Sequence, residues 1–128
     1  MREPDLDTLM FFDGHRNALE LYQRFEALLY ETFPVVNRRV QKTQITFYSK
    51  HVFACASFTR VKRKAELPDP YLVITLGLPY PLESARVAVK CEPYPWRWTT
   101  HIVIGDVNEI DGELIEWVRQ AFGFAAGK

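Results

Sequence analysis

Cysteine is scarce in this chain of 128 residues, neither sign of charge is in excess, and no long apolar run occurs. Each shortage removes a class of protein. Only Cys55 and Cys91 are present, too few for a secreted disulfide scaffold, and no C-x-x-C spacing points to zinc. Both sit in apolar, strand-like runs, so both are expected to be buried thiols acting as small apolar side chains; a nucleophilic Cys55 is the competing reading. Lys plus Arg and Asp plus Glu number 16 each, giving a formal net charge of zero. A duplex-binding module gains its affinity from a basic excess, so nucleic acid is not an expected partner.

Nothing approaches the roughly 20 consecutive apolar residues of a membrane helix. The segment Met1 to Asp5 is polar where a signal peptide would be apolar, so a cytoplasmic protein with no membrane partner is expected. The phosphate-binding patterns G-x-x-x-x-G-K-S/T and G-x-G-x-x-G and the nucleophile elbow G-x-S-x-G are missing too. The three histidines, His15, His51 and His101, form no H-x-x-x-H or H-x-E pattern. No cofactor and no metal site is expected, and no catalytic constellation can be named.

The residues present describe a globular chain. At 48% hydrophobic and 14% aromatic, it has bulky material enough to fill one core, and a single domain over residues 1–128 is expected. Leu6 to Phe12 reads as a short helix or turn broken by Gly14, with Phe11 and Phe12 plugging the core. Asn17 and Glu20 suggest a capping box. Beyond them Ala18, Leu21, Tyr22, Phe25, Leu28, Leu29 and Phe33 keep the i, i+3, i+4 spacing of an amphipathic helix, which Pro34 stops.

From residue 35 to about 104 the period is two. The apolar parity switches between Val36/Val40 and Ile45/Phe47, placing a turn or bulge at Gln41–Gln44. Val52 to Phe58 reads as a central strand covered on both faces, joined to its predecessor through Ser49-Lys50-His51. Arg60 to Pro70 is a loop, and Tyr71 to Leu78, Arg86 to Glu92 and Trp98 to Ile104 are strands; Pro93 to Arg97 reads as a stiff loop. A last helix carries Ile110, Leu114, Trp117, Val118 and Ala121 on one stripe, with Gly123 as its C-cap and a fraying tail. The expected fold is α+β: a two-layer sandwich of an N-terminal helix, an antiparallel sheet of about five strands, and a C-terminal helix on one sheet face.

Pleating then sends Gln44, Thr46, Tyr48 and His101 to the face opposite Ile45, Phe47, Ile102 and Ile104. With Lys42 as an anion anchor and Arg97 and Trp98 at its edge, that face is a candidate polar-aromatic site for a small ligand or protein partner. A half-solvated sheet face carries polar residues in any case, which is the plainer reading. An enzyme using His101 as acid/base and Lys42 as anchor is the alternative. A second anion-binding candidate is the basic run Arg60, Lys62, Arg63, with Phe58, Tyr71 and Trp98 available for stacking. Its plainer reading is a solvated loop diluted by Glu66 and Asp69. A homodimer through the open face is compatible with the binding reading. Metal handling of the frataxin kind, on Glu20, Glu26 and Glu31 of the first long helix, ranks last because Arg24 dilutes the acidic ridge.

Several runs carry a resemblance. Phe11-Phe12-Asp13-Gly14-His15, Val40 through Phe47 with its Lys-Thr-Gln, Val52-Phe53-Ala54-Cys55, Glu92 through His101 with its Arg-Trp-Thr, and Glu109 through Ala121 are similar to the bacterial family named domain of unknown function 5655. The resemblance spans nearly the whole chain and implies a small, free-standing or fused α+β domain with no assigned chemistry. Members of that family often have two adjacent histidines where this chain has Thr100-His101, and a small or polar residue where it has Trp96.

Overall fold

The computed structural model describes residues 4–127. Helix α1 (Leu6–Phe11) starts at Asp5, whose Oδ1 accepts from the Thr8 amide at 2.9 Å and from the Thr8 hydroxyl at 2.7 Å. Gly14, at φ 87°, reverses the chain where an L side chain would be strained. A 3-10 turn over Arg16–Ala18 then leads into α2 (Leu19–Thr32). The capping box is absent. Ala18 stands at the N-cap, and Asn17 donates instead to Asp69 Oδ1 at 2.7 Å, holding the 60–70 loop against the helix entry.

Six strands follow: β1 (Asn37–Val40), β2 (Gln44–Tyr48), β3 (Val52–Ser57), β4 (Leu72–Leu78), β5 (Val87–Tyr94) and β6 (Arg97–Ile104). They form one antiparallel sheet in the order β1-β2-β3-β4-β6-β5. Asp111 caps α3 (Gly112–Ala126) by accepting from the Leu114 amide at 3.0 Å. Gly123 lies inside α3 rather than ending it, because the apolar stripe continues to a buried Ala125; Gly127 is the C-cap, and Lys128 lies outside the described residues.

Register sets the two faces of the sheet. Ile45 and Phe47 on β2, Ala54 and Ala56 on β3, Ile74 and Leu76 on β4, and Ile102 and Ile104 on β6 are at most 1% exposed. They face Phe25 and Leu29 of α2 and Leu114, Val118 and Ala121 of α3, all buried in the same cluster. Each large aliphatic or aromatic side chain so buried contributes roughly 1.5–3 kcal/mol. The small pair Ala54 and Ala56 leaves room for α3, which crosses β3 and β4. Phe53 is an extra residue in β3: Tyr48 pairs with Val52 but Phe47 with Ala54. The resulting bulge turns Phe53 inward, against Phe33 and Phe122.

Two further expectations change. The helices cover β3 on one face only, so its apolar run is not a sign of two covered faces. Cys91 is exposed and Cys55 half-buried, because both occupy the parity that points away from the helices.

Candidate functional site

Pairing across the sheet lines up one row on the uncovered face: Arg39, Thr46, Cys55, Thr75, His101 and Val89, one from each strand. Thr75 Oγ1 lies 2.8 Å from His101 Nδ1, and burial holds that imidazole below its ordinary value of 6.5. Gln44 Nε2 donates to Thr46 Oγ1 at 2.9 Å and lies 3.4 Å from Cys55 Sγ, while Thr46 donates to Gln41 Oε1 at 2.6 Å. Burial raises the Cys55 thiol above its usual range, with the Thr46 contact opposing weakly. A raised thiol with Thr75 standing between it and His101 is not a thiolate–imidazolium pair.

On β2, β3, β4 and β6 this face carries Gln44, Thr46 and Tyr48, Val52, Cys55 and Ser57, Val73, Thr75 and Gly77, and Arg97, Thr99, His101 and Val103, of which Thr46, Ser57 and Val73 are buried. Arg97, at the turn end of β6, is the one Asp, Glu, Lys or Arg among them, in a chain that is 25% charged. Tyr48 lies toward the β1 edge, with the Arg39 guanidinium 5.4 Å from its ring centre.

The remaining candidates are dispersed. Lys42 sits in the β1–β2 turn and lines a cleft with Phe11, His15 and Phe58. The adjoining strand β2 is three places from the β6 strand of His101, roughly 14 Å at the usual strand spacing, so the two do not share a substrate position. Trp98 has the parity of Thr100 and Ile102 and pairs with Leu78, which puts it on the helix side. Arg97, exposed, pairs with Tyr94 across a two-residue turn, Pro95-Trp96, where a longer stiff loop was expected. Proline at the first turn position and Trp96 at φ 65° in the second make a type II geometry. Trp96 and Tyr94 are 77% and 66% exposed.

Of the basic run, Arg60 lines a cleft of about 440 Å³ with His15, Lys64, Asp69 and Tyr71; Lys62 and Arg63 are exposed outside it. His15, which sequence reading left as a residue before a helix, stacks on Phe58 at 4.0 Å and an interplanar angle of 13°.

A partly buried ionic cluster also went unread. Arg38 points to the helix side, donating to Thr8 Oγ1 at 2.8 Å and pairing with Asp5, its Nε 3.4 Å from Glu26 Oε2. Tyr22 donates to Glu26 at 2.6 Å, and burial, then that bond, raise its hydroxyl well above the usual range. Hydrogen bonds from Thr8, and after them Arg38, hold Asp5 below the carboxylate range although burial opposes. The shared parity of Val36, Arg38 and Val40 was the available signal. Glu26 is thereby withdrawn from the helix surface on which an acidic ridge would depend, and among the described residues no group of three or more His, Cys, Asp or Glu is placed to hold a metal. No described helix is long and apolar enough to cross a membrane.

The family model for a domain of unknown function (DUF5655) matches residues 10–125. The chain belongs to this family. The match runs from Met10, in the last turns of α1, to Ala125 near the end of α3, so every strand of the DUF5655 sheet and both clefts around His15 lie within it. Neither a curated protein nor a solved structure matches the DUF5655 chain significantly.

Proposed function

We propose that this DUF5655 chain is a binding domain whose uncovered sheet face is an interaction surface, and that the partner is a second copy of the chain. The observation that carries the reading is the scarcity of charge on four adjacent strands, where Arg97 at the β5–β6 turn is the one charged side chain on this face. Solvated sheet faces alternate toward charged and polar side chains, whereas charged residues are depleted at the centre of interfaces. Its neutral centre also meets its own copy without like-charge repulsion, the guanidinium groups of Arg39 and Arg97 standing at its margins.

Six strands of about six residues present roughly 29 by 20 Å, near 600 Å² per copy and about 1,200 Å² for two. That reaches the lower range of specific interfaces and fits a weak, micromolar dimer. Tyr94 and Arg97 stand on the same side at one end of the sheet, and Trp96 caps the turn between them. Tyr, Trp and Arg are the side chains most often found anchoring such contacts. The reading that takes His101 as acid/base and Lys42 as anion anchor has no geometric support, since β3 and β4 lie between β2 and the strand of His101.

Sedimentation equilibrium tests this on the wild-type chain and on Thr75→Lys, which sets an ammonium in the middle of the neutral face. Dimer formation in the micromolar range, weakened at least tenfold by Thr75→Lys at unchanged circular dichroism, is expected. A wild-type chain that remains monomeric into the high micromolar range, or a dimer indifferent to the lysine, contradicts it.

A further inference from the structure

At the end of the sheet where β2 begins and β3 ends, two clefts meet at His15. One, about 440 Å³, is lined by His15, Arg60, Lys64, Asp69 and Tyr71; the other, about 390 Å³, by His15, Lys42, Thr43, Phe58 and Thr59. We propose that this paired cleft binds a small molecule that joins a planar ring to a phosphate, of the size and chemistry of a nucleoside monophosphate.

Three features support it independently of any pairing between copies. The first is charge. Lys42, Arg60 and Lys64 bring three cations to the clefts, and among the described residues no carboxylate lies within 4.0 Å of any of them. Arg38, Arg86 and Lys90, by contrast, are each held by carboxylates. The single acid in the lining, Asp69, already accepts from Asn17 at 2.7 Å. A fork-shaped guanidinium beside an ammonium suits the three oxygens of a phosphate.

The second is a fixed aromatic wall. Phe58 stacks with His15 on one contact and with Phe11 on another, and meets Tyr71 edge-on at 5.6 Å. Tyr71 donates its hydroxyl to the Phe58 carbonyl at 3.2 Å, which sets the ring's direction. His15 is exposed, so the ring face turned from Phe58 is open to a flat ligand. Stacking of this kind is worth about 1–3 kcal/mol per base.

The third is rigidity on the loop side. Pro68 packs so close to Gly105 that a Cβ there would lie 2.6 Å from its ring atoms. With Asn17 fixing Asp69, the loop that carries Arg60 and Lys64 is tied to the body at two points. A volume of 440 Å³ falls in the range of small-molecule sites.

Titrating the full isotopically labelled chain with adenosine monophosphate, adenosine and inorganic phosphate, followed by NMR, tests the assignment. Adenosine monophosphate is expected to shift His15, Arg60, Lys64 and Tyr71 and to bind at least tenfold more tightly than either fragment. Arg60→Ala with Lys64→Ala should weaken it at least tenfold, and Arg60→Lys with Lys64→Arg should restore most of the loss. Phosphate binding as tightly as the nucleotide, shifts spread over the surface, an unchanged double variant, or a single-stranded oligonucleotide preferred tenfold over the mononucleotide would each overturn it. Sedimentation of the same double variant should match wild type, which separates failure here from failure of the sheet-face reading.

Discussion

Trp96 occupies a backbone region, φ 65°, that costs a side chain with a Cβ about 1–2 kcal/mol. Glycine, which has no Cβ, would relieve that cost, so the exposed indole at this turn carries a local energetic penalty. Trp96→Gly is therefore expected to raise stability by about 1 kcal/mol, read as a higher urea midpoint at unchanged slope. A lowered midpoint would mean that the indole's contacts outweigh the strain.

His101 gives a second expectation. Burial lowers its proton affinity in the folded state, so the unfolded chain binds the proton more tightly. Its share of stability is complete above the unfolded value near 6.5 and is lost as pH falls below it. The outward neighbours Thr75, Val89, Thr99 and Val103 carry no charge to offset this. Asp5 and Asp111 act lower. Asp111 is held down by the Leu114 amide and then Arg86 although burial opposes, and both carboxylates give up their contribution only below about pH 4. Urea midpoints measured from pH 8 to 5 should fall for wild type and stay flatter for His101→Gln. Equal slopes would refute the assignment.

Among the elements, the contact between the 60–70 loop and the end of β6 is the one that ties fold to cleft. Gly105→Ala drives a methyl into Pro68, and the loop or the strand end must move. A loss of about 1–3 kcal/mol is expected from such overpacking, together with NMR shifts at Arg60, Lys64 and Tyr71; a silent substitution would show the loop to be loosely held. Elements with a strong period were legible in the sequence. The parity of Ile45, Phe47, Ile102 and Ile104 placed Gln44, Thr46 and His101 on one face, and the switch at Gln41–Gln44 marked a turn. What could not be read were features that depend on partners distant in sequence. Asn17 looked like a cap and binds Asp69, 52 residues away. The Phe53 bulge depends on aromatic neighbours from α2 and α3. Trp98 was assigned by its neighbourhood in the chain, although its parity with Ile102 already placed it on the helix side.

For the whole molecule, the two faces of the sheet divide the work. One carries nearly the entire core and both long helices. The other holds a row that runs from Arg39 at one edge through neutral hydroxyl, thiol and imidazole groups on the four middle strands to Val89 at the other. The order of strands could not be deduced from alternation, which gives parity but not neighbours. Lys42 and His101 therefore shared a face on paper while lying three strands apart in space. The cationic cleft at His15 emerged only when the loop, the helix entry and two strands came together.

The most direct measurement is the access of a soluble paramagnetic agent to the His101 ring protons, compared at low micromolar and at millimolar chain concentration. Pairing through the sheet face requires strong protection at the higher concentration, little at the lower, and none gained by Thr75→Lys. Equal relaxation of His101 at both concentrations, with protection appearing elsewhere or nowhere, would contradict it.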